Sequence, residues 1–351
     1  MLYAGLDLSR KRINFDARLA GGELVERGAC PPDADGLRGL AGRLLAHDPE
    51  VLAVVESMNG ARFVHDQLER HGLDVLIADA ERAKGLAPLA CKTDKIDARV
   101  LAELARRDLV PEIWLPDPGT RADRERARFR LHLVHKRTAL KNRVHSTLIA
   151  WGKPCPVSDL FGRSGRELLH RLEIPEPWSS TLEASLRLID LLDEQISAQE
   201  RELRRLGADH PYVRLLQSVP GIAWVLGFTI ASEIGDIHRF PSPRKLTGYT
   251  GLCPKVDQSG ERDWRGRLKK NGPRYLRWAR IEAAQHAGRG PHYRDLYERT
   301  RRRHGRQRGP KVAAIVVARK LANAIWHMLT YETAFAPASA TQSSGGMTAP
   351  N

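Results

Sequence analysis

The pattern of apolar and polar positions at the start of the chain predicts three strands. Residues 3–8 form an apolar run interrupted by one Asp, and residues 12–20 alternate between polar and apolar side chains. The Gly21-Gly22 pair then predicts a tight turn into a third strand over residues 23–27. Strands joined by such short turns pair side by side, so we expect an antiparallel meander.

Helical spacing of apolar residues replaces this alternation from residue 36 onwards. The spacing predicts two further strands, over 51–56 and 73–77, and four helices, over 36–47, 61–71, 80–87 and 94–107. The run over 51–56 is almost continuously apolar, which predicts burial on both faces. Three strands followed by alternating helices and strands predict a mixed α/β sheet flanked by helices, in the order of the ribonuclease H-like nuclease fold.

The rest of the chain has a mostly helical pattern. Long helices are predicted over 121–150 and 181–206, and an apolar helix over 312–329. The two long helices favour either a coiled-coil hairpin with a dimer contact or an ordinary helix pair within one domain. We therefore predict four segments, which are a ribonuclease H-like domain (1–115), a long-helix linker (116–207), a mostly helical domain (208–334) and a disordered tail (335–351).

Composition predicts a cytoplasmic protein without a membrane segment. Of the 351 residues, 42% are hydrophobic and 28% charged, yet no apolar run approaches the ~20 residues of a membrane helix. The N-terminus has no basic stretch followed by an apolar one, as a secretory signal would. The cysteines have no metal-binding spacing, which favours reduced thiols; they are Cys30, Cys91, Cys155 and Cys253.

Positive charge is concentrated in one stretch of the sequence. The chain carries 57 Lys and Arg against 42 Asp and Glu, a net charge of +15, and residues 262–311 hold 17 of these bases and 4 of these acids. That stretch alone therefore carries +13, which indicates a polyanionic partner such as nucleic acid. The alternative is a charged face that contacts only solvent.

Four acidic residues fall where a metal site could form. Asp7 lies within the first predicted strand, and Glu56 ends the strand over 51–56. Asp94 and Asp97 share one face at the start of a helix. Carboxylates gathered together repel one another unless they bind cations, and Mg²⁺ or Mn²⁺ prefers such oxygen ligands. Taken singly, Asp94 could instead cap its helix, and Glu56 could end its strand in solvent.

A serine in a basic, glycine-rich segment is a candidate nucleophile. Ser259 precedes Gly260, and a turn there would expose its hydroxyl for attack on phosphorus. The nearby cations that could hold a phosphodiester are Arg262, Arg265, Arg267, Lys269, Lys270, Arg274 and Arg277. The alternative is a turn serine that bonds its own backbone.

A second phosphate contact is predicted at Gly221. It lies in a Val-Pro-Gly-Ile turn between predicted helices, which resembles a helix-hairpin-helix. Backbone N–H groups at such a turn can bind a phosphate. The turn could equally be a plain connection between two helices.

Together these motifs resemble the IS110 family of transposases, of the DEDD type, over about residues 3–330. The resemblance is carried by Gly5-Leu6-Asp7, Val55-Glu56-Ser57 and Lys92-Thr93-Asp94-Lys95-Ile96-Asp97-Ala98 in the N-terminal part. In the C-terminal part it is carried by the segments 219–222, 233–240 and 248–260. The order and spacing of all these motifs is specific, whereas any one of them alone would be weak.

The resemblance implies a recombinase that moves an insertion sequence. Its N-terminal domain would be similar to the Holliday-junction resolvase RuvC, with the four acids as ligands of Mg²⁺ or Mn²⁺. Ser259 would form a phosphoserine link to DNA, in a site shared between protomers of a homodimer or homotetramer. The implied partners are double-stranded DNA, at the element ends and the target, and a bridge RNA that pairs with both. Such a protein would act on the nucleoid in the bacterial cytoplasm.

Two other functions fit parts of the sequence. A metal-only endonuclease of the Holliday-junction type would use the four acids and leave Ser259 as a structural residue. A nucleic-acid binder without activity would account for the positive charge but leave the acids unexplained.

Overall fold

A computed structural model of the chain describes residues 1–86, 94–153, 155–259, 262–268 and 271–336. The chain divides into two compact units, an N-terminal unit (Met1–Leu115) and a C-terminal unit (Pro116–Asn351). The further boundaries expected at residues 207 and 334 stay predictions. Of the predicted disordered tail, residues 337–351 lie outside the described residues.

The N-terminal unit is built on a five-stranded mixed sheet. Its strands are β1 (Leu2–Leu8), β2 (Ile13–Leu19), β3 (Leu24–Cys30), β4 (Val51–Glu56) and β5 (Asp74–Ala78). They lie side by side in the order β3-β2-β1-β4-β5. β1 pairs antiparallel with β2 and parallel with β4, and β2 pairs antiparallel with β3. The prediction of a meander within a mixed sheet is therefore confirmed.

Helices cover both faces of this sheet. They are α1 (Ala34–His47), α2 (Ala61–Arg70), α3 (Ala80–Leu86) and α4 (Asp94–Arg106). On one face, Leu6 of β1 belongs to a core with Leu40 of α1 and Val64 of α2. On the other face, Val54 of β4 packs with Leu101 of α4. The central strands β1 and β4 are therefore buried on both sides, as the apolar run over 51–56 predicts.

The C-terminal unit is mostly helical and contains one β-hairpin. Its helices are α5 (Pro118–Ala150), α6 (Arg163–Arg171), α7 (Trp178–Ala208), α8 (Pro211–Gln217), α9 (Trp224–Ile234), α10 (Pro243–Tyr249), α11 (Arg274–Ala287) and α12 (Arg294–Thr330). The hairpin pairs β6 (Pro254–Ser259) antiparallel with β7 (Arg262–Leu268). The hydrophobic pattern does not predict these strands, because they carry few apolar residues to mark a buried face.

The two long helices pack against each other within one chain. Arg130 of α5 forms an ion pair with Glu200 near the end of α7. Val144, further along α5, shares an apolar cluster with Leu186, near the start of α7. The two helices are therefore antiparallel. Both alternatives for these helices contain such a pair, and a dimer contact through it stays a prediction.

The last helix is longer than its apolar part and is broken. α12 contains Gly305 with a φ of 74°, outside the helical region. An added Cβ at Gly309 would lie 2.2 Å from the Arg301 carbonyl oxygen, whereas residues eight apart in a continuous helix are about 12 Å apart. The chain therefore folds back at Gly305. The predicted helix over 312–329 is only the second arm of α12. By length and composition α12 also qualifies as a membrane span, although half of its apolar window is buried within the protein.

Candidate active site and nucleic-acid surface

Asp7 and Glu56 lie on adjacent strands at one edge of the sheet. β1 and β4 are parallel neighbours with Leu6 opposite Val55, so Asp7 and Glu56 are the next residues in register. Leu6 and Val55 both belong to the core on one face of the sheet. Because side chains alternate along a strand, the two carboxylates point to the opposite face, where both are half-buried.

α4 covers the face to which these two carboxylates point. The absence of a side chain at Gly5 allows this approach, since an added Cβ would lie 1.9 Å from the Ala98 carbonyl oxygen. At the other end of α4, Arg106 donates a hydrogen bond to the Ala20 carbonyl oxygen, 3.1 Å away. Ala20 follows the end of β2, which lies opposite the start of β1. The first turn of α4 is therefore at the edge of the sheet that carries the two carboxylates.

Asp94 and Asp97 occupy that first turn of α4. Asp97 is half-buried, and the side chain of Asp94 lies outside the described residues. Among the side chains that the structure does describe, no three His, Cys, Asp or Glu residues are grouped closely enough to hold a metal ion. Asp7, Glu56 and Asp97 thus lie towards the same edge of the sheet but are not grouped as a metal-ligand set. Their carboxylate oxygens are the donors that a hard divalent cation prefers, so the donor chemistry fits Mg²⁺ or Mn²⁺.

A further acid on the sheet has a structural role. Asp16 on β2 is fully buried. Its two carboxylate oxygens accept hydrogen bonds of 2.6 Å from Arg18 and 2.6 and 2.8 Å from Arg27. Two guanidinium groups therefore neutralise this carboxylate, as a buried charge requires.

Ser259 is the last residue of β6, directly before the connection to β7. Its partner across the hairpin is Arg262. Gly260 and Glu261 lie outside the described residues. The same holds for the side chains of several candidates, which are Ser259, Arg262, Arg265, Arg267, Lys269 and Lys270. Their predicted roles stay predictions.

The two remaining candidate cations lie near the start of α11. Arg274 is exposed and stacks on the ring of Tyr275, with its guanidinium carbon 4.8 Å from the ring centroid. Arg128 of α5 lies over the same ring at 5.1 Å. Arg277 lies beside Gly251, where an added Cβ would come within 2.6 Å of the Arg277 Nη1 atom. The structure therefore holds these arginines in defined positions just after the hairpin.

Gly221 lies in the turn between α8 and α9, so the turn does connect two helices, as predicted, and its likeness to a helix-hairpin-helix stays a prediction. Its φ is 88°, a conformation that favours glycine. An added Cβ would lie 2.5 Å from the Cβ atom of His286 on α11. A cavity of about 450 Å³ opens at this turn and is lined by residues 217–223, Leu226 and His286. Phosphate binding at Gly221 stays a prediction.

A group of exposed cations of the basic stretch surrounds the break in α12. Arg302, Arg303, Arg306 and Arg308 are all exposed on the two sides of Gly305. Because the chain folds back there, the two arms of α12 bring these arginines together at one tip. Sequence reasoning assigns this segment to the basic stretch but does not single out the tip.

Sequence reasoning misses three cations outside residues 262–311. Arg244 of α10 and Arg319 and Lys320 of α12 line a common cavity. The signal that could identify them is the distribution of acids, since residues 237–256 and 299–331 contain no Asp or Glu.

The sheet order, the carboxylates and the basic stretch together define a class of protein. A five-stranded sheet in this order, with carboxylates at the ends of its central strands, is compatible with a ribonuclease H-like domain. The second unit carries the basic stretch, which indicates an enzyme that acts on nucleic acid.

Comparisons with known proteins agree with this class. A model described as "Transposase IS116/IS110/IS902 family" matches residues 213–298, and a DEDD transposase model of IS110 matches residues 4–150. The chain therefore belongs to the IS110 family of insertion-sequence transposases, and the resemblance identified from its motifs is confirmed.

Similar proteins align over most of the chain. The "Transposase for insertion sequence element IS1328" of Yersinia enterocolitica is 26% identical over 308 residues, covering 84% of this chain and 88% of that protein. The "Probable family 20 transposase" of Pseudomonas aeruginosa is 25% identical over 82% of this chain and 87% of its own length. The "Transposase for insertion sequence element IS1111A" of Coxiella burnetii is 24% identical over 80% and 78%.

Proposed function

We propose that this transposase cleaves and rejoins the DNA of an insertion sequence through a covalent link between Ser259 and a DNA phosphate. The observation that carries the proposal is the position of Ser259 at the last residue of β6, next to the connection of a hairpin. Trp264 on the paired strand is 59% exposed, which is unusual for a large aromatic side chain. The exposed Trp264 makes this part of the hairpin accessible to a duplex.

The chemistry requires no external energy source. The Ser259 Oγ atom attacks phosphorus, its proton passes to a base or to solvent, and one deoxyribose oxygen leaves with the electron pair of the broken bond. A phosphoserine diester replaces the DNA phosphodiester. Attack on that diester by the hydroxyl of another DNA end reverses the step and releases the serine. One phosphodiester is lost and one is formed, so strands exchange without hydrolysis.

We infer that Asp7, Glu56, Asp94 and Asp97 hold Mg²⁺ or Mn²⁺ in this reaction. Support comes from the adjacent register of Asp7 and Glu56 and from the position of the first turn of α4 at the same edge. When bound, such an ion organises phosphate oxygens and offsets negative charge in the transition state. The carboxylates would hold the ion, and its positive charge would offset their mutual repulsion.

Nucleic acid is proposed to bind the basic stretch and the turn at Gly221. Exposed arginines at the tip of α12, together with Arg274, could neutralise several phosphates. The proposed candidates at the hairpin follow the same chemistry; they are Arg262, Arg265, Arg267, Lys269, Lys270 and Arg277. Affinity for DNA should consequently fall steeply between 50 and 200 mM salt, by about 10³-fold or more if six phosphates are contacted.

A bridge RNA and self-association complete the proposal. A surface that reads charge and shape can leave sequence choice to RNA pairing. For a homodimer or homotetramer, support comes from apolar side chains left exposed on the α5–α7 pair, which include Ile149, Trp151, Trp178, Leu188 and Leu191. These functions place the protein in the bacterial cytoplasm, on the nucleoid.

Covalent capture tests the proposal. The protein is incubated with Mg²⁺, end DNA of the element and RNA transcribed from its flank, then denatured and resolved by electrophoresis. Wild type should give a protein–DNA adduct that Ser259→Ala abolishes. Ser197→Ala is the matched control, because Ser197 is an exposed serine on α7 and should leave the adduct unchanged.

The alternatives give different patterns in the same assay. Cleaved DNA without an adduct, in wild type and Ser259→Ala alike, would identify a metal-only endonuclease that depends on Asp7. DNA binding without cleavage, unaffected by Asp7→Ala and Glu56→Ala together, would identify a binder without activity.

A further inference from the structure

We propose that a cavity between α10 and α12 binds a phosphate of the DNA backbone at a site separate from the basic stretch. The cavity has a volume of about 550 Å³. Its polar lining consists of Arg244, Thr247, Cys253, Arg319, Lys320 and Asn323. The inference rests on the proposed function, since it takes DNA as the ligand.

Three cations converge on this cavity from distant parts of the sequence. Arg244 comes from α10, and Arg319 and Lys320 come from α12. All three are exposed, and in the part of the chain that the structure describes none of them forms an ion pair. The acid-free segments 237–256 and 299–331 explain why no carboxylate lies beside them along the chain. Such unneutralised positive charge is a binding site for an anion.

Neutral donors add to the cations. The Thr247 hydroxyl donates to the Pro243 carbonyl oxygen at 2.9 Å and lies 3.2 Å from the Asn323 Oδ1 atom. Contact through Oδ1 leaves the Asn323 amide nitrogen as a further donor. Guanidinium, ammonium and amide donors on one wall match the acceptor oxygens of a phosphate.

The lining favours a backbone phosphate over a free nucleotide. No aromatic side chain is among the described residues that line the cavity, so it offers no platform on which a base could stack. Cys253 in the wall directly precedes β6, whose last residue is Ser259. Six residues of extended chain span at most about 20 Å, so the cavity lies within that distance of the proposed nucleophile. A duplex cleaved at the hairpin therefore has phosphates within reach of the cavity.

The salt dependence of DNA binding tests the charge argument. Each neutralised phosphate of duplex DNA contributes about 0.9 to the slope of log affinity against log salt. The cavity variant replaces the three cations by Arg244→Gln, Arg319→Gln and Lys320→Gln. It should lower this slope by about 1 or more relative to wild type. Its affinity at 150 mM salt should fall about 10-fold or more.

A matched control separates a local site from the loss of net charge. The control variant removes three exposed cations of α7 and changes the net charge by the same amount. Its substitutions are Arg187→Gln, Arg201→Gln and Arg204→Gln. The proposal is overturned if this control lowers the slope as much as the cavity variant does. It is also overturned if wild type binds DNA with a steep slope and the cavity variant matches it. Failure of wild type to bind DNA at all would instead reject the proposed function.

The thiol of Cys253 reports occupancy of the cavity directly. Cys253 is a free, half-buried thiol, and mass spectrometry of the tryptic peptide 246–255 reads its modification by N-ethylmaleimide separately from that of other cysteines. A duplex oligonucleotide should slow modification at least about 5-fold in wild type and not in the cavity variant. Adenosine monophosphate at millimolar concentration should not protect. Equal protection by the mononucleotide, or no protection by the duplex, would overturn the proposal.

Discussion

The close packing of α4 on β1 places the acids of the proposed metal site at one edge, and Gly5→Ala tests this packing. A Cβ at residue 5 would lie 1.9 Å from the Ala98 carbonyl oxygen and 2.4 Å from the Ala102 nitrogen. Ordinary contacts need about 3.4 Å or more, so α4 must move away from β1 by roughly 1.5 Å to clear both atoms. Both opposing atoms belong to the helix backbone, which cannot rotate aside as a side chain can.

The expected loss in the free energy of unfolding follows from this displacement. Overpacking of a well-packed core costs about 1–3 kcal/mol, and we expect the upper end because the clash is with backbone. The movement also loosens the contact of Leu101 with Val54. Since a 1 Å misplacement near a reacting centre can cost about 10²-fold in rate, DNA cleavage should fall by 10-fold or more.

Hydrogen exchange measured by mass spectrometry reads the loss of stability at α4 and β1, and a DNA cleavage assay reads the loss of rate. In Gly5→Ala, amides of α4 and β1 should exchange faster by a factor equivalent to about 3 kcal/mol, roughly 10²-fold. Gly42→Ala is the control, because Gly42 is exposed within α1 and an added Cβ meets nothing within 4 Å. That variant should stabilise α1 by about 0.5–1 kcal/mol. If Gly5→Ala exchanges its amides and cleaves DNA at the wild-type rates, the close packing of α4 on β1 is not needed for the site.

Three further predictions concern the C-terminal unit and are read by urea denaturation. Arg280 is fully buried, none of its guanidinium nitrogens has a hydrogen-bond partner among the described residues, and burial lowers its pKa to about 9. Arg280→Met should therefore raise the free energy of unfolding by about 1–4 kcal/mol, and a loss of stability would contradict this. Glu233 is buried and accepts two hydrogen bonds from Arg128, at 2.7 and 3.0 Å. Glu233→Ala should lower the free energy of unfolding by about 2–3 kcal/mol. This is less than for a fully buried pair, because Arg128 is one-third exposed. A change below about 0.5 kcal/mol would show that the pair contributes little to stability. Burial lowers the pKa of His210, whose Nδ1 atom accepts a hydrogen bond from the Tyr212 amide at 3.2 Å. The folded protein thus binds this proton less readily than the unfolded chain, so stability should be complete above pH ~6.5 and fall as the pH drops below it. His210→Asn keeps a capping acceptor and should reduce that fall, whereas an identical pH profile would exclude His210 as its source.

The sheet of the N-terminal unit was predictable because its pattern is local. Burial of β4 on both faces produces a continuous apolar run, and the Gly21-Gly22 pair marks the turn between β2 and β3. The register that places Asp7 beside Glu56 comes from the structure, because adjacency of two parallel strands does not by itself fix their register. The contact that brings α4 over Gly5 could not be predicted in this way, because it joins segments more than 90 residues apart in the chain.

The C-terminal unit shows where local pattern fails. β6 and β7 have almost no apolar alternation, so the pattern gives no strand signal there. The fold-back at Gly305 depends on a single φ value, which a run of arginines does not reveal. The cavity cations were missed because Arg244 and Arg319 are far apart in sequence, and only the packing of α10 on α12 brings them together.

Locating the DNA on the protein after covalent capture tests most directly whether Ser259 is the nucleophile. The adduct is digested with nuclease and trypsin, and the peptides that carry a nucleotide are identified by mass spectrometry. Trypsin cleaves after Lys255 and Arg262, and Ser259 is the only hydroxyl side chain in the peptide 256–262. We expect a nucleotide attached to Ser259 in that peptide. A nucleotide attached to any other residue would contradict the proposed role of Ser259.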